Sequence, residues 1–509
     1  MSNHLYDLVR ARRPADPARP FAHLPDRRVY THQDVEDVSG RFANALVSLG
    51  VKPGDRVAVQ VEKSVEALML YLACLRVGAV FLPLNTAYTP AEIAYFVGDA
   101  EPALFVCDPG REAVLRPVAS EAGARVETLG VWSSPDISAG TLADRGLAAP
   151  PAFDDVARGP DDLAAILYTS GTTGRSKGAM LSHENLASNA RTLVETWRFT
   201  SDDVLIHALP IFHTHGLFVA TNVVLLSGAA MILQPRLDPA AILAAMPRAT
   251  AMMGVPTFYT RLLQQPGLTQ TACAHMRLFV SGSAPLLAET HREWRERTGH
   301  AILERYGMTE TNMNTSNPYE GERVAGTVGF PLPGVELRVT EPETGAVLGA
   351  DEIGMIEVRG PNVFQGYWRM PEKTAAEFRA DGFFITGDLG KVDARGYVHI
   401  VGRGKDLIIT GGYNVYPKEI ETEIDGLPGV VESAVIGLSH PDFGEGVTAV
   451  VVTNGQTQLT EADVLKTLEQ RLAKYKLPKR VFFVEDLPRN TMGKVQKNVL
   501  RETYKGLYG

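Results

Sequence analysis

Near the C-terminus, Pro488-Arg489-Asn490-Thr491-Met492-Gly493-Lys494 places a single lysine directly after a glycine in a polar loop. Far upstream, Tyr168-Thr169-Ser170-Gly171-Thr172-Thr173-Gly174-Arg175-Ser176-Lys177 packs five hydroxyls and two glycines into residues 169–177 and ends on a cation. Glycines let backbone N–H groups approach phosphate oxygens, hydroxyls donate further bonds, and a lysine supplies charge. The upstream loop is therefore read as a cradle for a polyphosphate. It is not a Walker A loop, because Ser176 stands where that loop has a glycine before its lysine. Lys494 is read as a charge that a small mobile domain carries to the same substrate. The bland alternatives are a Ser/Thr/Gly surface turn and a solvated lysine. The density of donors directly after an apolar run favours the cradle.

These residues need a scaffold, and the chain alternates short β-branched runs with longer helical patterns, which favours α/β layering. Residues 56–61 read as a strand after the Pro-Gly-Asp turn at 53–55, and residues 64–77 follow with helical spacing. Residues 103–107 form another strand, and Ala164-Ala165-Ile166-Leu167-Tyr168 runs straight into the glycine-rich loop. Further strands are expected at 251–255 and 278–281. After about residue 320 the texture changes to short strands with turns, at 335–339 and 356–359, which implies a smaller β-rich subdomain. A boundary is expected near Gly402-Arg403-Gly404-Lys405-Asp406. Beyond it lie a strand at 432–436 and an amphipathic helix with Val464, Leu465, Leu468 and Leu472 on one stripe. Residues 120–160 read as a loose surface excursion. The expected organisation is α/β: a large N-terminal domain of layered α/β subdomains plus a β-rich subdomain at 1–403, and a small mobile α+β C-terminal domain at 404–509.

Composition excludes several classes. With 509 residues the chain is too long for one ordinary core. Its 45% apolar content suits a soluble globular protein, and a net charge of -9 argues against a nucleic-acid or anionic-membrane binder. The N-terminal arginines at 10, 12, 13 and 19 are interrupted by Asp7 and Asp16, without the apolar stretch of a secretory signal. No run approaches the roughly 18–20 apolar residues of a membrane span. Cys74, Cys107 and Cys273 have no metal-like spacing and are expected as buried thiols in a reducing compartment. The cytoplasm is the expected location.

With the blocks in view, Tyr168 to Gly174 with Lys177 resembles the signature of the adenylate-forming superfamily of acyl-CoA synthetases, adenylation domains and luciferases. Tyr306-Gly307-Met308-Thr309-Glu310 is similar to its adenine and magnesium segment. Phe384-Ile385-Thr386-Gly387-Asp388 is similar to its ribose segment, Gly402 to Asp406 to its hinge, and Asn490 to Lys494 to its catalytic-lysine loop. The five blocks occur in order and span nearly the whole chain. The resemblance implies a two-step reaction: a carboxylate attacks the α-phosphorus of ATP, and a thiol then displaces AMP after the C-terminal domain rotates.

It also implies roles. Lys494, Glu310 and Lys177 would be catalytic. The nucleotide would meet Thr169, Ser170, Gly171, Thr172, Thr173, Gly174, Arg175, Ser176, Lys177, Glu304, Arg305, Tyr306, Gly307, Thr309, Asp388, Arg403 and Lys494. Glu310 with Thr169 would hold Mg²⁺, hard oxygen ligands for a hard cation. Asp388 would accept the ribose hydroxyls, Lys405 would be the hinge, and Gly411, Gly412 and Tyr413 would line the path of coenzyme A.

The acid is read from the segments between these blocks. Arg261 suits no apolar tail but would pair with a second carboxylate, with Ser283 as a further donor. His207, His213 and Met308 are candidate pocket residues; the histidines read equally well as packed, neutral and structural. The run Glu304 to Ser316 resembles that of malonyl-CoA synthetases, which implies malonate, ATP and coenzyme A as small-molecule partners, with methylmalonate as a second acid. A synthetase for another short acid is the near rival. A luciferase-like oxygenase and a non-enzymatic nucleotide binder are the distant ones. Lys494, on a glycine-flanked loop, is also a candidate for a lysine acetyltransferase and deacetylase, since acetylation would remove its charge.

Overall fold

The computed structural model describes residues 3–131, 139–169, 176–410, 413–455, 459–472, 474–490 and 493–508; the side chain of Asn414 is also left out. The chain divides into two compact units, one of residues 1–336 and 359–382, the other of residues 337–358 and 383–509.

The first unit holds two sheets. In the seven-stranded sheet the order is Gly366–Tyr367, Lys177–Ser182, Leu163–Thr169, Val80–Pro83, Arg56–Gln60, Leu104–Cys107 and Arg125–Thr128. The strands from Leu163–Thr169 to Arg125–Thr128 run parallel. Lys177–Ser182 and Gly366–Tyr367 join antiparallel. The nine-stranded sheet likewise has a parallel centre. Leu303–Met308, Leu278–Ser281, Ala251–Gly254, Val204–His207, Ala230–Leu233 and Pro20–His23 lie side by side, with antiparallel strands at both edges. Parallel strands need crossover connections, which is why their sequences are short continuous apolar runs buried on both faces.

The helix Val65–Val77 shows the consequence. It is apolar almost all round, and every one of its residues is buried. Its two charges survive burial by pairing: Arg76 reaches Asp155 at 2.6 Å and Glu36 at 3.0 Å, and Glu66 accepts from Tyr30 at 2.5 Å. Ser64 caps its start by accepting from the Ala67 N–H.

The second unit contains an antiparallel sheet of Glu336–Thr340, Gly354–Arg359, Phe384–Val392 and Val398–Arg403. Its other sheet orders Tyr413–Val415, Ile408–Thr410, Gly444–Thr453 and Val430–His440, with Arg480–Val484 parallel to Gly444–Thr453. Val435, Val447, Ala449 and Val451 pack there with Ile420, Ile424, Val464 and Leu468. The amphipathic stripe expected at 464–472 is this core's cover, although the helix itself spans Glu461–Leu468.

One expectation is corrected. The described residues within 120–160 are no loose excursion: Arg125–Thr128 is an edge strand of the seven-stranded sheet, and Thr141–Ala148 is a helix that buries Leu142 and Ala143. Four residues of mixed polarity carry too little pattern to announce a strand, and pairing with Leu104–Cys107 supplies what propensity lacks. The three cysteines are buried free thiols, as expected. Among the described residues no helix is long and apolar enough to cross a membrane.

Candidate active site

The upstream cradle lies where the strand Leu163–Thr169 ends. The chain turns back as Lys177–Ser182, with Thr169 opposite Lys177 in register. Ser170, Gly171, Thr172, Thr173, Gly174 and Arg175 fall outside the described residues. The flanks are firmly held. Tyr168 donates to Asp99, and Tyr95 donates to the Ser176 carbonyl at 2.6 Å. The Thr169 hydroxyl reaches the Lys177 carbonyl at 3.5 Å. The Lys177 ammonium lies 3.3 Å from Glu377 and 4.0 Å from the centre of the Tyr367 ring.

Glu310 sits in the turn between the antiparallel strands Leu303–Met308 and Asn312–Ser316. It is buried, and the Tyr367 hydroxyl donates to its Oε1 at 3.0 Å. Gly307, in the first of these strands, has no space for a side chain: a Cβ there would stand 1.9 Å from the Asn312 carbonyl. Tyr306 is buried, and Met308 and Thr309 are half-buried. Glu304 is buried; its Oε1 takes the Gly326 N–H at 3.2 Å and its carbonyl the Asn317 N–H at 2.9 Å. Glu304 is thereby packed into the hairpin base.

A magnesium ion fits this donor set. Among the described residues no group of three metal-ligating side chains occurs. Glu310 and Thr169 offer a carboxylate and a hydroxyl, both hard oxygens. Mg²⁺ typically takes one or two protein carboxylates and completes its shell with water and substrate phosphates.

Arg305 is the site's most unusual side chain. It is buried on the strand Leu303–Met308, and its Nε and Nη2 find no hydrogen-bond partner. Burial drives its pKa down toward about 9, partly offset by Tyr259. Its guanidinium fills the space over Gly282, where a Cβ would come within 2.4 Å of Cζ. Next to Gly282, Ser283 adopts a φ of 69°, and its hydroxyl lies 3.4 Å from His215 Nδ1. His215 Nε2 and the Thr214 hydroxyl are also buried without a partner. Burial, then Arg305, holds His215 well below the usual histidine range, so it is a neutral imidazole. An isolated buried polar group is costly. A buried cation with two unpartnered nitrogens, close to His215, is suited to an anion.

The other candidates divide. His207 is wholly buried. Lys63 donates to its Nδ1 at 3.0 Å and to its carbonyl at 2.8 Å, and its Nε2 meets the Gly216 carbonyl at 2.9 Å. This is the packed, neutral histidine, kept neutral by burial and by Lys63. His213 is half-buried and accepts from the His215 N–H at 3.2 Å. Arg261 lies on the exposed face, in the last turn of the helix Pro256–Leu263.

The second unit gathers the remaining charges. Asp388 and Arg403 face each other across two paired strands, with 2.7 Å between Oδ1 and Nε. Lys494 is pushed down to about 8 by burial, then by Arg403 and Lys405, against which Asp388 and Asp406 pull. Its loop is closed by the Asn490 side chain, which takes the Lys494 N–H at 2.9 Å, while Arg489 donates to the Gly493 carbonyl at 2.6 Å. Lys405 is itself lowered, first by burial, and Arg501 pairs with Asp406 at 2.7 Å. Tyr413 is exposed and stacks on Tyr475 with ring centres 4.6 Å apart. Gly411 and Gly412 lie outside the described residues.

Sequence reasoning did not single out Lys63, His215, Thr214, Tyr367 or Glu377, and it read Arg305 only as part of the nucleotide block, without its burial beside His215. Lys63 follows directly on a parallel strand, the end where ligands gather in such sheets, and that position was its available signal.

A family described as AMP-binding enzyme matches residues 9–368, and the AMP-binding enzyme C-terminal domain matches residues 419–494. A malonate–CoA ligase of Arabidopsis thaliana is 36% identical over 498 residues, covering 91% of this chain and 80% of the relative. A feruloyl-CoA synthase of an Amycolatopsis species is 37% identical over 480 residues, covering 93% and 94%. The crystal structure of ATP-bound MatB from Rhodopseudomonas palustris superposes with a TM-score of 0.97 at 64% identity, covering 100% of both chains. The chain belongs to the AMP-binding enzyme family.

Proposed function

We propose that this protein is an ATP-dependent malonate–CoA ligase, which also takes methylmalonate as a second acid. One malonate oxygen attacks the α-phosphorus of ATP and pyrophosphate leaves; the thiol of coenzyme A then displaces AMP to give malonyl-CoA. A carboxylate is a poor acyl donor, and the mixed anhydride supplies a good leaving group. The chain's part is chiefly electrostatic, setting fixed charges where negative charge develops. Lys177 and the loop 169–176 hold the polyphosphate, and Glu304, Tyr306, Gly307 and Thr309 frame the adenine. Asp388 accepts the ribose hydroxyls beside Arg403, and Lys494 bridges carboxylate and phosphate during adenylation. Mg²⁺, held through Glu310 and Thr169, would neutralise phosphate charge.

Arg305 carries the choice of acid. Relatives of nearly equal identity act on malonate and on ferulate, so overall likeness does not decide the substrate. A buried cation with two unpartnered nitrogens beside His215, which Ser283 meets at 3.4 Å, suits a second carboxylate and opposes an aryl ring. Arg261 is proposed as an additional contact from the exposed face, and Met308 and His213 as flanking residues. The functional division is proposed at 403/404, with Lys405 as the pivot, and coenzyme A along 411–413. The cytoplasm is the proposed location, supported by three buried free thiols.

Mono- and diacids of two to six carbons, compared at fixed ATP and coenzyme A, test this reading. Malonate should be preferred over acetate and butyrate. Arg305→Met should lower kcat/KM for malonate by about 10²-fold, the usual scale for stripping one partner from a buried charge pair. The same variant should melt no lower than wild type, because an isolated buried cation contributes little to stability. Arg261→Ala should also reduce malonate use selectively. Acetate outcompeting malonate would make the protein a synthetase for another short acid, and full malonate activity in both variants would overturn the two arginines as contacts of the second carboxylate.

A further inference from the structure

Glu377 and Tyr367, neither of which belongs to the expected nucleotide blocks, tie the two charged ends of the phosphate site together. The Tyr367 hydroxyl lies 2.6 Å from Glu377 Oε2 and 3.0 Å from Glu310 Oε1, so one O–H serves two carboxylates. Glu377 Oε1 in turn meets Lys177 at 3.3 Å and Lys373 at 2.7 Å. Lys177 lies over the ring of the same tyrosine. Glu377 is held below the usual carboxylate range despite burial, by Lys373, Tyr367 and Lys177 together. It is therefore an anion at neutral pH, placed on the lysine meant for phosphate.

We propose that Glu377 is a resident counter-ion for Lys177, holding the lysine until a polyphosphate takes it, and that Tyr367 is a positioning residue linking this pair to Glu310. The inference rests on the reading of Lys177 and Glu310 given above. Three features favour a releasable hold. The Lys177 contact is the longest of the three Glu377 makes, so the carboxylate keeps Lys373 and the phenol when the lysine leaves. Both partners are partly exposed, where an ion pair contributes only modestly. Once Lys177 has left, the phenol O–H is drawn to Glu377, and the Glu310 carboxylate is relieved of it. The polyphosphate and the metal carboxylate thus become linked through one hydroxyl, and such linkage is reciprocal.

Opposite signs of effect test the arrangement. ATP binding is measured by calorimetry on the intact protein, in EDTA and again in Mg²⁺, with adenosine as the phosphate-free control. Glu377→Gln removes the competing anion and should tighten metal-free ATP by about 2- to 5-fold, the scale of a partly exposed ion pair. Adenosine affinity should not change. Tyr367→Phe keeps the ring under Lys177 but removes the hydroxyl that Glu377 and Glu310 share. It should weaken metal-free ATP by about 5-fold, as expected for one added like-charge contact at intermediate dielectric, and Mg²⁺ should restore most of the loss. If wild type binds ATP and Glu377→Gln binds it no tighter, or if adenosine shifts in parallel, the counter-ion role is overturned. If Tyr367→Phe weakens ATP equally with and without Mg²⁺, the link to Glu310 is overturned. Wild-type protein that binds no ATP under either condition overturns the nucleotide reading itself, and this inference with it.

Discussion

The two lysines expected to meet ATP rest in opposite electrostatic conditions. Lys177, in the first unit, lies against the Glu377 carboxylate and an aromatic face, so its charge is compensated. Lys494, in the second unit, is half-buried; desolvation first, then Arg403 and Lys405 against the pull of Asp388 and Asp406, lowers its pKa to about 8. A compensated cation is suited to holding a substrate that must later leave, because little is lost on release. An uncompensated one gains most when new negative charge develops beside it. The contrast supports the proposed roles, Lys177 in binding and Lys494 in the transition state.

The largest effect should come from breaking that assignment at Lys494. Lys494→Ala should slow acyl-adenylate formation by about 10²- to 10³-fold, the scale of removing one transition-state donor. Thioester formation from pre-made adenylate should be largely spared, and acetylation of Lys494 should reproduce the pattern. Pyrophosphate release and thioester appearance, followed separately, check it. Equal loss of both half-reactions would remove the distinction, because Lys494 would then serve the fold or both steps alike.

A pH series sharpens the same point. Below about 8 the folded protein holds Lys494 as a cation, and above it the lysine loses its proton, so adenylation should fall by about tenfold per pH unit on the alkaline side. The stability term has the opposite trend. The folded pKa lies below the unfolded value, so between about 8 and the ordinary lysine range the unfolded chain binds more protons, and stability gains from rising pH. Lys494→Met should flatten that gain and melt no lower than wild type at pH 7. Thermal melts from pH 7 to 10 on both proteins measure it. A wild-type curve parallel to that of the variant would mean Lys494 is not strained in the fold.

The same contrast separates what the sequence revealed from what it concealed. The strands at 56–60, 104–107, 163–169 and 278–281 were legible because buried parallel strands must be continuous apolar runs, and the Val65–Val77 helix because it is apolar almost throughout. Thr169, Lys177, Glu310, Asp388 and Lys494 stood out as candidates because they lie in dense local blocks. Glu377 and Tyr367 were not, since their significance arises from pairing across nearly two hundred residues of chain with Lys177. Arg305 was picked out only as part of its contiguous block; that it is buried over Gly282 and close to His215 comes from the strand's alternation, which sends successive side chains to opposite faces. Arg125–Thr128 was hidden because register with a neighbour, rather than composition, makes it a strand.

The smallest effect probes a third lysine, intermediate between the other two. Lys63 is desolvated like Lys494, which lowers its pKa, but it is satisfied like Lys177, donating to the ring and the carbonyl of His207. With Nδ1 accepting, His207 must carry its proton on Nε2, directed at the Gly216 carbonyl, which Thr221 also holds at 2.9 Å. Gly216 directly follows Thr214 and His215, whose hydroxyl and Nε2 are buried without a partner. Lys63→Met should free the tautomer and loosen that loop without touching the nucleotide. The expected result is a rise of about 5-fold in the malonate KM, the scale of one hydrogen bond, with kcat and the ATP KM within about twofold of wild type. Malonate and ATP parameters worsening together with a lower Tm would instead make Lys63 a brace between the two sheets of the first unit, with no bearing on which acid is chosen.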